Sequence, residues 1–153
     1  MEIREFVKEN YFLSNFFSPC PVMFEGLEYR CSENAYQAAK ILCGNPRQTR
    51  IERIAHGFQD LLPGEAKRLA HRLRLRPDWE SVKGEIMYRI VLAKFEAHPD
   101  LRRRLLATGD AFLEEGNWWH DNVWGNCHCD KCRGIEGQNL LGKTLMRVRV
   151  ELR

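Results

Sequence analysis

The 153-residue chain has no apolar run of transmembrane length, which excludes a helical membrane-spanning protein. Its opening residues, Met1-Glu2-Ile3-Arg4-Glu5-Phe6, lack the apolar stretch of a secretory signal peptide. It has no internal repeat, low-complexity tract or linker, so one domain over 1–153 is expected. Charge of one sign is not in strong excess either: 24 Lys and Arg against 21 Asp and Glu leave a net +3. That balance permits a phosphorylated or nucleic-acid ligand but does not demand one. Six cysteines without a secretion signal read as thiols or metal ligands rather than disulfides. The expected setting is the cytoplasm, with no membrane partner.

What is present is mostly helical pattern. Ile3–Val7 alternates weakly and reads as a strand. Val22-Met23-Phe24, Glu25-Gly26 and Leu27-Glu28-Tyr29 read as a hairpin turning on Gly26. Helices are expected over Arg47–His56, Pro63–Leu73, Trp79–Ala97 (buried stripe Val82, Ile86, Ile90, Ala93, Ala97), Asp100–Ala107 and from Gly137 onward. Arginines and lysines along 67–76 and 102–104 read as solvated helix faces. The fold class expected is mostly α (α+β): a single-domain orthogonal helical bundle with a small antiparallel sheet from the N-terminal strand and the hairpin.

The chain is organised around Cys31-Ser32-Glu33-Asn34-Ala35-Tyr36-Gln37-Ala38-Ala39-Lys40. Ser32 reads as its N-cap. Ala35, Ala38, Ala39 and Leu42 form its apolar stripe, and Glu33, Tyr36, Gln37 and Lys40 align on another face at i, i+3, i+4 and i+7. An acid, a phenol, an amide and an amine on one line can be an ordinary solvated face or a chemical one. Upstream, Tyr11, Phe12, Phe16 and Phe17 surround Ser14-Asn15, either as core or as an aromatic wall with an amide for a base or sugar. Downstream, Trp118, Trp119 and Trp124 stand among His120, Asp121 and Asn122 in a pattern that fits no amphipathic element. A stacking pocket for a flat base explains it better than a core would.

Cys127-His128-Cys129-Asp130-Lys131-Cys132 follows at once. Three thiols plus one imidazole suit tetrahedral zinc. The metal ligands expected are Cys127, Cys129, Cys132 and His120, with His128, Cys20 or Cys43 as other choices for the fourth.

Phe12-Leu13-Ser14-Asn15-Phe16, the SENAYQAAK block, Trp124-Gly125 and Gly137-Gln138-Asn139-Leu140-Leu141-Gly142 form an ordered set. Together they resemble the NADAR family, the YbiA-like N-glycosidases, from about Ile3 to Arg149. The resemblance implies cleavage of an N-glycosidic bond to ribose. Its substrates would be riboflavin-pathway ribosylamino-pyrimidine phosphates or ADP-ribosylated guanine, as a small nucleotide-like molecule or in nucleic acid. It implies that the segment around Asn15 and Phe16 borders the ligand, that Trp79 stands near it, and that Trp124, Gly125 and Asn139 help position base and sugar. It also implies that the cysteine cluster is an insert, so a zinc there would be structural, holding the Trp124 loop, and catalysis would need no cofactor.

Two mechanisms are open. Glu33 and Asp121 can act as paired carboxylates on the sugar and the leaving nitrogen. Alternatively Lys40 attacks the anomeric carbon to give an imine, with Glu33 taking its proton; the resemblance favours this route. A different class of reading is a non-catalytic module that binds ADP-ribose, or single-stranded nucleic acid through a zinc knuckle.

Overall fold

The computed structural model describes residues 1–41 and 57–153. The helix expected over Arg47–His56, together with Leu42 and Cys43, lies outside the described residues. The elements are β1 (Glu2–Ile3), a 3-10 helix (Lys8–Leu13), β2 (Val22–Phe24), β3 (Leu27–Tyr29), α1 (Ser32–Ala39), α2 (Pro63–Ala70) and α3 (Trp79–Ala97). They continue with α4 (Pro99–Ala107), β4 (Phe112–Leu113), β5 (Gly116–Asn117), β6 (Asn126–Cys127), a 3-10 segment (Asp130–Cys132) and α5 (Leu140–Glu151). The class is α+β with helices dominant, as expected. No helix among the described residues is long and apolar enough to cross a membrane. The chain divides into two compact units, Asn15–Ala97 and Met1–Ser14 with His98–Arg153.

In the Asn15–Ala97 unit the hairpin pairs Val22 with Tyr29 and Phe24 with Leu27. Its turn needs two positive φ values, 48° at Glu25 and 77° at Gly26, the type I′ geometry that matches strand twist. Val22 and Phe24 face inward while Met23 is exposed, so one face of the ribbon meets α3. α1 packs against α2, α3 and the hairpin, and all eight of its residues are buried. Of the two readings open for the polar row of α1, the solvated face is therefore excluded for Glu33, Tyr36 and Gln37, because neighbours cover the helix all round. The buried stripe of α3 is also rotated from the expected one. Ile86 and Ile90 are buried, but their companions are Met87, Val91, Lys94 and Phe95, while Val82 and Ala93 are only half-buried and Ala97 is exposed.

In the other unit β1 pairs in parallel with β4, Glu2 with Phe112 and Ile3 with Leu113. The expected antiparallel sheet joining the N-terminal strand to the hairpin is thus corrected: the hairpin's strands satisfy each other, and β1 finds its partner at 112–113. The strand is shorter than Ile3–Val7, although Gly116 N still donates to Arg4 O at 3.0 Å. β5 and β6 form a second parallel pair. Leu141, Leu145 and Val148 of α5 are buried, on the face expected for them. Arg149 is buried beside them, its Nη1 donating to Thr108 Oγ1 at 2.8 Å and Ala111 O at 3.0 Å.

Candidate functional site

The polar row of α1 is built from its N-terminus. Cys31, extended at φ −163° and ψ 177°, holds the cap position, and its Sγ lies 3.0 Å from Asn34 Oδ1. Ser32, expected as the N-cap, is instead the first helical residue, and its buried Oγ has no hydrogen-bond partner among the described residues. Asn34 fastens the helix to the segment before α2, donating to Phe58 O and Leu61 O, each at 2.7 Å. Glu33 N donates to Asn15 O at 3.1 Å, which brings the aromatic segment against the start of the helix.

Two pairs then occupy the row. Gln37 Nε2 donates to Glu33 Oε1 at 2.6 Å, inside the protein. One turn on, Lys40 follows the helix, half-buried, with Nζ 5.0 Å from the centre of the Tyr36 ring. Tyr36 packs in turn on Trp79, ring centres 5.2 Å apart at 58°. Lys40 therefore leans back along the helix, as helical side chains do, and its ammonium suits the helix C-terminus. Phe16 is half-buried, with Lys67 Nζ 5.9 Å from its ring. The unit thus gathers Asn15, Glu33 and Gln37 by hydrogen bonds, and Tyr36, Lys40 and Trp79 by ring contacts.

One further residue of this unit belongs to none of the sequence motifs. Lys94 on α3 is 1% exposed, with Nζ 5.6 Å from the Phe17 ring and 5.3 Å from the Phe95 ring. Burial pulls its pKa down to about 8, against an opposing pull from the thiols of Cys20 and Cys31. The signal for its burial is spacing, since Lys94 stands four after Ile90 and seven after Met87 on the buried stripe. Because the folded pKa lies below the unfolded one, the unfolded chain holds the extra proton between about pH 8 and ~10.4, and stability rises with pH across that window. Lys94→Met is therefore expected to be more stable than the native chain at pH 7, by on the order of 3 kcal/mol. Denaturant unfolding at pH 7 and pH 10 checks it: the gain should shrink at the higher pH.

The second group of expected residues lies in the other unit, on the loop between β5 and β6. Asn117 Oδ1 accepts from Trp119 N and Asp121 N at 3.3 and 3.1 Å. Asp121 Oδ1 accepts from Val123 N at 3.0 Å and Trp124 N at 2.9 Å. One carboxylate oxygen of Asp121 is therefore engaged in shaping the loop. Trp124 is half-buried, whereas Trp118 and Trp119 are 63% and 61% exposed, so the three tryptophans do not share one buried pocket. At Gly125 a Cβ would run into Glu115 O, which leaves room for no other residue. Asn139 sits left-handed at φ 50° before α5. Its Oδ1 accepts from Glu115 N at 3.1 Å and its Nδ2 donates to Leu113 O at 2.9 Å, so its carboxamide is committed to main-chain groups at both ends.

The same loop closes the thiol cluster. His120, Cys127, Cys129 and Cys132 each bring a ligand atom within 4.8 Å of the others. His120 Nδ1 stands 3.4 Å from Cys132 Sγ and 3.2 Å from Cys129 Sγ. Tetrahedral zinc with bonds of ~2.0–2.3 Å has ligand–ligand edges of about 3.4–3.8 Å, so the donor set fits that ion and small side-chain adjustments bring the spacing to it. His120 adopts φ 68°, a conformation a non-glycine residue takes at some cost. It thereby aims both Nδ1 at two sulfurs and its main-chain N–H at Cys127 Sγ, 3.3 Å away. Of the other candidates for fourth ligand, His128 is turned to Glu114, Nε2 to Oε1 3.1 Å, and Cys20 is buried in the unit that carries Lys94. A cavity of about 450 Å³ opens beside the thiols and leaves an approach for an ion.

Comparison with known proteins identifies the family. The N-glycosidase Npun_R5314 of Nostoc punctiforme is 39% identical over 139 residues, covering 90% of this chain and 83% of that one. The N-glycosidase YbiA of Escherichia coli is 36% identical, covering 89% of this chain and 78% of its own. Its solution structure superposes with a TM-score of 0.79 at 32% identity, over 99% of this chain and 83% of that one. A riboflavin biosynthesis protein of Vibrio vulnificus, VVA0006, is 36% identical over 94% of this chain but only 36% of its own length. The NADAR domain model matches residues 4–153, and the chain belongs to the NADAR family.

Proposed function

We propose that the protein is an N-glycosidase that hydrolyses the bond between ribose and an amino-substituted pyrimidine or purine. The observation that carries this is the α1 row: a buried Glu33–Gln37 pair at 2.6 Å followed by Lys40 over Tyr36, in a chain whose relatives are named N-glycosidases. Substrates of the proposed class are ribosylamino-pyrimidine phosphates, suggested by the riboflavin relative, and ADP-ribosylated guanine.

In the reaction Lys40 Nζ, freed of its extra proton, attacks the anomeric carbon. The C–N bond to the base breaks and the base departs with a proton. The sugar ring opens to an imine on Lys40, and water then returns the free sugar and the amine. Glu33 receives the proton of the attacking amine and returns it to the leaving nitrogen. Tyr36, Trp79 and Phe16 offer apolar surface to the substrate. Asp121, through one carboxylate oxygen, and Asn139, through both ends of its carboxamide, act by holding the loop and the start of α5. The cluster at His120, Cys127, Cys129 and Cys132 takes a structural zinc and supplies no step of the reaction.

The test is a screen of ribosylamino-pyrimidine phosphates and ADP-ribosylated guanosine for release of free base and free sugar. Release of both from at least one substrate is expected; intact substrate throughout would reject the reading. One observation favours a second reading. The exposed Trp118 and Trp119 suit stacking on unpaired bases, so a non-catalytic nucleic-acid module predicts tight, steeply salt-dependent polynucleotide binding with no cleavage.

A further inference from the structure

On three residues linked to Glu33, buried oxygens have no hydrogen-bond partner among the described residues: Asn15 Oδ1, Ser32 Oγ and Gln37 Oε1. Their residues are 7%, 1% and 2% exposed. All three are tied to Glu33: Asn15 through the 3.1 Å bond its carbonyl accepts from Glu33 N, Gln37 through its own 2.6 Å bond, and Ser32 as the preceding residue. A buried polar atom without a partner costs about 1–3 kcal/mol, and native proteins carry few. Three on residues bonded or adjacent to Glu33 mark a place prepared for something else.

The polarity of that place is fixed by the bonds already made. The Gln37 amide turns its nitrogen to the Glu33 carboxylate, which can only accept, so its oxygen is the atom left over. Asn15 Nδ2 is directed to Met87 Sδ at 3.3 Å, and a thioether also only accepts, so again the oxygen is left. Together with the Glu33 carboxylate, these residues present acceptors and ask a ligand for donors. Ser32 can complete the set as donor or acceptor. In the N-glycosidase reading, on which this inference rests, Glu33 exchanges a proton with the amine and the leaving nitrogen at the anomeric carbon. Its bonded neighbours then meet the substituents of the adjacent sugar carbons.

We infer that Asn15 and Gln37 form an acceptor pair that reads the vicinal hydroxyls of the ribosyl group and sets a preference for ribosyl over 2′-deoxyribosyl substrates. The expected discrimination is large, because an analogue without the hydroxyl leaves the acceptors buried and unpaired. Sites of that kind reject the lacking analogue by ~10⁴-fold or more. An amino group on the base is the other source of donors, and it predicts discrimination by base instead of by sugar.

The test compares kcat/KM for a ribosyl substrate and its 2′-deoxyribosyl counterpart on the same base, in the native protein and in Gln37→Met. In parallel, ribose 5-phosphate and 2-deoxyribose 5-phosphate are titrated while the side-chain amide signals of Asn15 and Gln37 are followed by NMR. At least ~100-fold preference for the ribosyl substrate is expected, collapsing toward unity in Gln37→Met, with the two amide signals moved by ribose 5-phosphate at concentrations where the deoxy sugar leaves them still. Equal rates on both substrates, or discrimination that follows the base amino group, would overturn the inference. If no substrate is cleaved, the N-glycosidase reading fails, and the titration alone decides: equal response to the two sugars rejects the acceptor pair. Should Gln37→Met not fold, the native rate ratio and the titration still decide between acceptance and rejection.

Discussion

Lys40→Ala is expected to lower turnover of a ribosylated base by at least ~10⁴-fold, the scale seen when a covalent nucleophile is removed, while leaving the fold intact. The stability half of this expectation follows from position. Lys40 stands after the last turn of α1 and is only half-buried, so its truncation opens no cavity in the core and costs within about 1 kcal/mol. The catalytic half follows from chemistry, since Gln37, Tyr36 and Glu33 in the same row have no amine with which to form the imine. Glu33→Gln should behave differently. It keeps the nucleophile and loses the general base, a loss of ~10²–10⁴-fold, and rate should recover as pH rises and the amine loses its proton unaided. Steady-state rates for both variants from pH 6 to pH 10 separate the two routes. If Lys40→Ala retains turnover while Glu33→Gln and Asp121→Asn are both inactive, the paired-carboxylate mechanism replaces the imine.

The metal prediction is as large. Purified protein should carry about one equivalent of zinc, and cobalt in its place should show the visible absorption of a tetrahedral thiolate site. Removing the ion, or making Cys132→Ser, should lower the thermal midpoint steeply, because structural zinc binding is worth ~10–16 kcal/mol against a net domain stability of ~5–15 kcal/mol. The damage should spread along a traceable path. Cys127 N donates to Asn122 Oδ1 at 2.9 Å. Asn122 O, Gly125 O, Val123 O and Trp124 O accept from Gln138 N, Asn139 N, Leu140 N and Leu141 N at 2.8 to 3.1 Å. These donors lead into α5, whose first turn has no earlier carbonyls of its own to bond. Metal removal should therefore deprotect amides 138–141 to hydrogen exchange, well beyond the cluster itself. A metal-free protein with an unchanged midpoint and unchanged protection at 138–141 would rule out a structural zinc.

How much of this arrangement is legible in the sequence depends on whether local pattern or tertiary context decides each part. The hairpin and α3 through α5 follow from turn chemistry, proline and glycine punctuation and helical period, and they stand close to where those signals put them. The thiol cluster follows from ligand chemistry. Its fourth member, open in the sequence among His120, His128, Cys20 and Cys43, is assigned by the left-handed turn at His120, which spacing does not encode. The parallel pairing of β1 with Phe112–Leu113 is not legible, because a pairing across that separation is a property of the packed chain. In α1 the alanines opposite polar residues look amphipathic, yet α2, α3 and the hairpin bury both faces. That burial makes the Glu33–Gln37 pair and the orphaned oxygens more informative than a surface row would be. At Lys94 residue type and spacing conflict, the charge pointing outward and the helical period inward, and the period wins.

The most direct measurement is peptide mapping after borohydride is added during turnover. Reduction of the imine fixes the sugar to the amine that formed it, and the mass of the modified peptide identifies the lysine. A nucleophilic Lys40 predicts a single sugar adduct on that residue. Turnover with no adduct, or an adduct on Lys94, would contradict it.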